Sequence, residues 1–159
     1  MQEDKTSIFV VDDHPLMRLS LVRLLSDAGY IVAGEACGIT EALKKIHYTR
    51  PNILIVDISL GDDSGFDLLK EVRLCFPRVR IIVYTMHDAS MYAARALKSG
   101  AAGFVTKGES PETLLKIILD VINGKLSVKS KENSISGRDR KSTRLNSSHV
   151  KRSRMPSSA

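Results

Sequence analysis

Short apolar runs alternate with amphipathic stretches from residue 6 to residue 125. Ser7-Ile8-Phe9-Val10-Val11 is continuously apolar after its first residue, as a strand covered on both faces requires, and it stops at Asp12-Asp13. Pro15 to Ala28 has helical spacing, with Leu16, Leu19, Val22 and Leu25 read as one face. Asp13 or His14 can cap that helix, Pro15 suits its first turn and Gly29 its end. Ile31 to Glu35 is a second strand and Thr40 to Tyr48 a second helix. Pro51-Asn52 breaks the chain before a third strand, Ile53 to Val56, which ends at Asp57. After a polar turn at Gly61–Gly65, Phe66 to Phe76 is a helix closed by Pro77. Arg80 to Tyr84 is a fourth strand ending at Thr85, and Asp88 caps a helix that runs to Lys98. Ala102 to Val105 is a fifth strand followed by Thr106-Lys107, and Ser110-Pro111 opens a last helix that ends near Gly124.

Five strand–helix repeats with apolar strands specify a parallel sheet covered on both faces. Right-handed crossovers then give an α/β, doubly wound, five-stranded domain. In such a sheet, ligands sit beyond the carboxyl ends of the strands. Residues 1–129 are the folded domain on this reading.

The chain has 159 residues, 43% of them hydrophobic and 26% charged, enough for one core of ordinary size. No apolar run is long enough to cross a membrane, and the polar start Met1-Gln2-Glu3-Asp4-Lys5 is unlike a secretory signal. A cytoplasmic location is therefore expected. The net charge of +6 invites a nucleic-acid reading. Its distribution removes that reading for the folded part. Residues 1–130 hold 16 basic and 16 acidic side chains, whereas residues 131–159 hold 8 and 2. The segment 130–159 is Ser-, Arg- and Lys-rich with few apolar residues, and reads as a disordered basic tail. The stretch Ser142 to Pro156 has the look of translated cloning or adapter sequence, so the tail is expected to be non-native. A nucleic-acid-binding arm is the alternative, but the run has no interleaved aromatics. Cys37 and Cys75 belong to no metal-binding or CxxC pattern and are expected as reduced thiols in or near the core.

The informative polar residues fall at strand ends. Asp12 and Asp13, Asp57, Thr85 and Lys107 end four different strands, and a parallel sheet brings those ends to one edge. Taken singly, each has a plain explanation: a cap, a good β-former, a solvated charge. Taken together they form a chemistry. Packed carboxylates repel unless a cation intervenes. A hard divalent cation such as Mg²⁺ takes one or two carboxylates and shares phosphate oxygens. A carboxylate beside it can attack phosphorus, with a lysine neutralising the transferring group.

Val10-Val11-Asp12-Asp13-His14-Pro15 resembles the acidic-pair motif that opens the receiver domains of bacterial response regulators. Ile53 to Leu60 resembles their phosphorylation-site strand. Ile81 to Thr85 and Gly103 to Lys107 resemble the two remaining signature strands. The resemblance spans residues 6–125 and implies a flavodoxin-like, CheY-like fold. It implies Asp57 as phospho-acceptor from a histidine kinase or phosphotransfer domain. It also implies Asp12, Asp13, Asp57 and the Ser59 carbonyl as Mg²⁺ ligands, Thr85 and Lys107 as phosphoryl contacts, and Thr85 with Phe104 as the switch pair. Phe104 as a plain core aromatic remains open.

The Asp-His-Pro opening and Thr-Lys-Gly stretch look most like the NarL/FixJ type, whose receivers precede a helix-turn-helix domain. No such pattern follows Lys129 here, so DNA contact is expected only through an output domain that this chain lacks. Leu60-Gly61 and Gly108 also depart from the family, where Met-Pro and a proline are common. The last helix carries more apolar residues than one buried stripe needs, which points to a homodimer patch with the first helix. Two other readings stand beside this one. A stand-alone or degenerate receiver would act as a protein-interaction module. A phosphatase or phosphotransferase would use an aspartyl nucleophile, but such enzymes place an acid where Ser59 stands. The expectation is a signalling domain and not a turnover enzyme.

Overall fold

Alternation along the strands decides which helix covers which face of the sheet. In this structure, a computed structural model that describes residues 4–129, strands and helices alternate except at a short hairpin after the third strand and at a final strand. They are β1 (Ser7–Val11), α1 (Pro15–Asp27), β2 (Ile31–Ala36), α2 (Ile39–Thr49) and β3 (Ile53–Val56). A hairpin of β4 (Ser59–Leu60) and β5 (Asp63–Ser64) leads into α3 (Gly65–Cys75). Then come β6 (Arg80–Thr85), α4 (Ala89–Lys98), β7 (Gly103–Thr106), α5 (Pro111–Ile122) and β8 (Ser127–Lys129). The main sheet is ordered β2-β1-β3-β6-β7-β8 and all its pairings are parallel. Phe9, Val11, Leu54, Val56, Ile81, Val83 and Phe104 face one way, onto a core shared with α2, α3 and α4. Ile8, Val10, Ile53, Ile55, Ile82 and Val105 face the other, onto α1 and α5. Each strand residue thus changes side at every step, and both sides are dry. The expected doubly wound α/β architecture is present.

Capping follows the local sequence. Asp88 Oδ1 accepts from Ser90 N at 3.0 Å and Ser110 Oγ from Thr113 N at 3.2 Å, so both helices start where their polar caps stand. α1 starts after His14, whose side chain makes no capping bond to the helix.

Four features differ from the sequence reading. A sixth strand, β8, joins the expected five at the β7 edge, with Phe104 opposite Val128. The polar turn after Asp57 is the β4–β5 hairpin. On α1 the buried positions are Leu21 and Leu25, while Leu16 and Leu19 are 78% and 62% exposed. Both cysteines are exposed, because Cys37 lies in the turn after β2 and Cys75 at the last turn of α3. There Cys75 lines a cleft of about 450 Å³ with Arg50, Phe76 and Arg78. The basic tail expected at 130–159 lies outside the described residues. Among the described residues no helix is long and apolar enough to cross a membrane.

Candidate functional site

Four apolar strands deliver the polar groups. β1 ends at Val11, so Asp12 is the first residue past the β1 ladder, its N–H still bonded to Ala36 O at 3.1 Å. β3 ends at Val56 and leaves Asp57 next to it, its N–H donating to Val11 O at 3.1 Å. β6 contributes Thr85 as its last residue, and Lys107 follows β7 with its N–H on Thr85 O at 2.8 Å. Asp12, Asp57 and Thr85 are the buried polar residues at this edge.

The side chains close into one network. Thr85 Oγ1 donates to Asp57 Oδ1 at 2.9 Å, and the Ser59 N–H donates to the same oxygen at 3.0 Å. Lys107 Nζ bridges Asp57 Oδ2 at 2.8 Å and Asp12 Oδ2 at 2.6 Å. Its side chain is 2% exposed and those of Asp12 and Asp57 are 4%. Burial disfavours the Lys107 ammonium. Hydrogen bonds to Asp12 and Asp57, with their charges, outweigh that and raise its pKa above the ordinary lysine value. Tyr84, whose ring lies 5.9 Å from Lys107 Nζ, has its pKa raised by burial, with Lys107 opposing.

Asp13 lies on the solvent side of this network. The Gly61 N–H donates to Asp13 Oδ2 at 2.9 Å, from a glycine at φ 61° at the hairpin tip. Asp13 Oδ1 is buried without a hydrogen bond. His14 Nδ1 stands 3.0 Å from it, but that ring nitrogen bonds to Asp12 Oδ1 at 3.2 Å. One ligand atom from each of Asp12, Asp13, His14 and Asp57 can be chosen so that all lie within 4.8 Å of one another. Three carboxylates against one ammonium, with an unpartnered buried oxygen, make a hard-oxygen set that suits a divalent cation.

The backbone behind Asp57 is tightly constrained. A Cβ at Gly65 would fall on Asp57 O and lie 2.5 Å from Ile58 Cα, so the start of α3 packs directly on the Asp57–Ile58 peptide. Gly65 N donates to Ile58 O at 2.8 Å, holding that approach.

Asp12, Asp13, Asp57, Thr85 and Lys107 therefore converge as the sequence suggested. Ser59 joins them through its backbone N–H, while its hydroxyl lies 2.5 Å from His87 Nε2. Phe104 is fully buried, in the core shared with α4. Sequence reasoning passed over His87, the Gly61 N–H and Arg18. Arg18 Nη1 donates to Asp12 O at 2.7 Å. Nothing in the local sequence marks these contacts, since each depends on a neighbouring loop or helix.

Comparison with known proteins gives one family. The model of the response regulator receiver domain matches residues 8–119. The chain is 38% identical over 125 residues to the probable transcriptional regulatory protein SgaR of Hyphomicrobium methylovorum, covering 78% of this chain and 59% of that one. It is 32% identical over 111 residues to the chemotaxis protein CheY of Thermotoga maritima, covering 70% and 92%. Among solved structures, a LuxR-family two-component response regulator from Aurantimonas superposes with a TM-score of 0.78 at 30% identity, covering 87% of this chain and 99% of that one. The chain spans about three fifths of the length of several curated regulators that it matches.

Proposed function

Because this chain belongs to the response regulator receiver domain family, we propose that Asp57 accepts a phosphoryl group from a histidine kinase and that the modified domain changes conformation to control transcription. The observation that carries this reading is the buried Asp57 carboxylate, held by Thr85, the Ser59 N–H and Lys107 beside Asp12 and Asp13. An Asp57 oxygen bonds to phosphorus as the donor's P–N bond breaks and its electron pair leaves with the imidazole. Asp12, Asp13, Asp57 and the Ser59 carbonyl would hold Mg²⁺, which supplies charge neutralisation for the transferring group. Lys107 moves with the charge it already neutralises and contacts the attached phosphoryl. The Thr85 hydroxyl, now on Asp57 Oδ1, is free to donate to a phosphoryl oxygen once the bond forms.

The added charge, roughly −1.5 to −2, biases an equilibrium between two positions of the Thr85 loop and the Phe104 ring. Phe104 then acts as the reporter of Thr85's position. Acetyl phosphate with Mg²⁺ tests the reading: intact-mass analysis is expected to show a single phosphoryl group that is lost slowly, and EDTA to prevent its uptake. A chain that stays unmodified with the metal present would be an interaction module only. Steady release of inorganic phosphate through many turnovers would make it an enzyme.

Signalling through a second copy fits the surface of α1 and α5. These helices share a sheet face, and they leave Leu16, Leu19 and Leu119 exposed. The apolar excess of α5 is smaller than its sequence suggested, because Leu114, Ile117, Ile118 and Val121 are buried and Leu115 and Ile122 pack partly against the same core. Beryllofluoride with Mg²⁺ is expected to move the light-scattering mass from monomer toward dimer, and Leu16→Glu with Leu19→Glu to prevent the move. Monomer at high concentration with the mimic bound removes the dimer from the proposal.

A further inference from the structure

We propose that Arg18 is a positioning residue for this phosphoryl transfer, fixing the Asp12 backbone so that the acid pair can receive its cation. The proposal rests on the reading of Asp57 as acceptor. Arg18 stands in the first turn of α1, yet its guanidinium is used outside the helix. Nη1 donates to Asp12 O at 2.7 Å and Nε to Glu35 Oε1 on β2 at 2.9 Å. Only 20% of its side chain is exposed.

The backbone explains why such a group is needed. The Asp12 N–H is still tied to β2 through Ala36 O. Its carbonyl points past the end of the ladder, and among the described residues Arg18 donates the hydrogen bond that it receives. Without that bond the peptide between Asp12 and Asp13 loses the hydrogen bond to its carbonyl, and that peptide sets the angle between the two carboxylates. Arg18 is itself aimed by Glu35. The Glu35 backbone is braced in turn: Lys45 Nζ donates to Glu35 O at 3.0 Å and to Glu41 Oε2 at 3.0 Å. A planar fork presents Nη1 to one acceptor and Nε to the other from two separate nitrogens at a fixed angle, a geometry that a lysine's single nitrogen does not reproduce.

The charge also matters. The Arg18 charge is met by Glu35 at 2.9 Å, so the guanidinium holds the Asp12 carbonyl without setting an unpaired cation against the incoming ion. Lys107 binds the carboxylate oxygens themselves and so competes with an incoming ion. The hydrogen bonds of Arg18 go to Asp12 O and Glu35, so its contribution is to position the Asp12 backbone.

The test is Mg²⁺ titration of the whole chain, followed by the amide shifts of Ser59 and Gly61, beside acetyl-phosphate uptake over a range of Mg²⁺. Arg18→Gln is expected to raise the apparent Mg²⁺ dissociation constant about tenfold, the size of one charge-assisted hydrogen bond. The uptake rate should return toward wild type at saturating Mg²⁺. Arg18→Lys should recover part of the affinity. Glu35→Gln keeps the guanidinium but frees it, and should weaken Mg²⁺ about threefold. Should Arg18→Gln fail to fold, Glu35→Gln decides alone. Wild-type Mg²⁺ affinity in these variants, even with a lowered melting temperature, makes Arg18 a structural residue and overturns the proposal. A wild-type chain that binds Mg²⁺ yet takes no phosphoryl group sinks the Asp57 reading, whereas unchanged affinity in Arg18→Gln sinks only this one.

Discussion

Asp57→Asn is expected to take up no phosphoryl group from acetyl phosphate at any Mg²⁺ concentration, as read by intact mass. An amide oxygen lacks the charge to attack phosphorus, so the loss is complete and not graded. The geometry adds a second consequence. Three donors converge on the Asp57 carboxylate: the Thr85 hydroxyl, the Ser59 N–H and the Lys107 ammonium. Asparagine has a single accepting oxygen. If that oxygen keeps Thr85 and Ser59, the amide nitrogen faces the ammonium; if it turns to Lys107, the Ser59 N–H loses its acceptor. Asp57→Asn should therefore also cost about 1–3 kcal/mol in urea unfolding without Mg²⁺. Labelling at the wild-type level in this variant would place the acceptor elsewhere and end the assignment.

Removal of the lysine is expected to act on stability more than on chemistry. In Lys107→Ala the Oδ2 atoms of Asp12 and Asp57 both lose the ammonium that bridges them. Two buried carboxylates then face each other without a cation. Breaking a buried pair from one side typically costs about 3–5 kcal/mol. That loss should appear in urea unfolding at neutral pH in EDTA, and saturating Mg²⁺ should restore part of it. In wild type the folded pKa of Lys107 lies above the unfolded one. Its contribution is therefore complete at neutral pH and is lost only as pH climbs past the ordinary lysine range. A Lys107→Ala protein as stable in EDTA as wild type would mean that the pair is relaxed by water or protonation, and the network would lose its structural role. Phosphoryl uptake should fall as well, since the transferring group loses its neutralising cation.

Much of this site was legible because it depends on strand ends. A run such as Ile53-Leu54-Ile55-Val56, four residues long between Pro51-Asn52 and Asp57, reads as a strand buried on both faces, and its polar neighbour then lies at the sheet edge. Four such runs fix four corners of one network. The errors have equally local causes. Leu16, Leu19, Val22 and Leu25 repeat every three residues, and a helix turns about 100° per residue. Each step thus slips about 60° backwards, and Leu16 ends on the side opposite Leu25. The burial of Leu21 with Leu25, an i,i+4 pair, follows the true helical period. The β4–β5 hairpin and β8 are two and three residues per strand, too short for any periodicity to register. They exist because neighbouring backbone offers them partners, which a linear pattern does not contain. The cysteines misled for a simpler reason: a preference for burial is weak where the residue ends a helix or sits in a turn.

β8 has a geometric effect on everything downstream of it. Helix α5 runs back against the strands and would deliver the chain to the far rim, beside Arg80, which bonds to the α5 carbonyls of Val121 and Ile122. Ser127, held by Asp120 at 2.9 Å, reverses that heading. Within the next two residues the backbone has climbed again, with Val128 beside Phe104 and Lys129 beside Val105. Whatever is tethered after Lys129 departs from the same rim as the carboxylates, one ladder rung from the aromatic ring. In the proposed switch, a segment joined there would begin beside the ring that reports the position of Thr85.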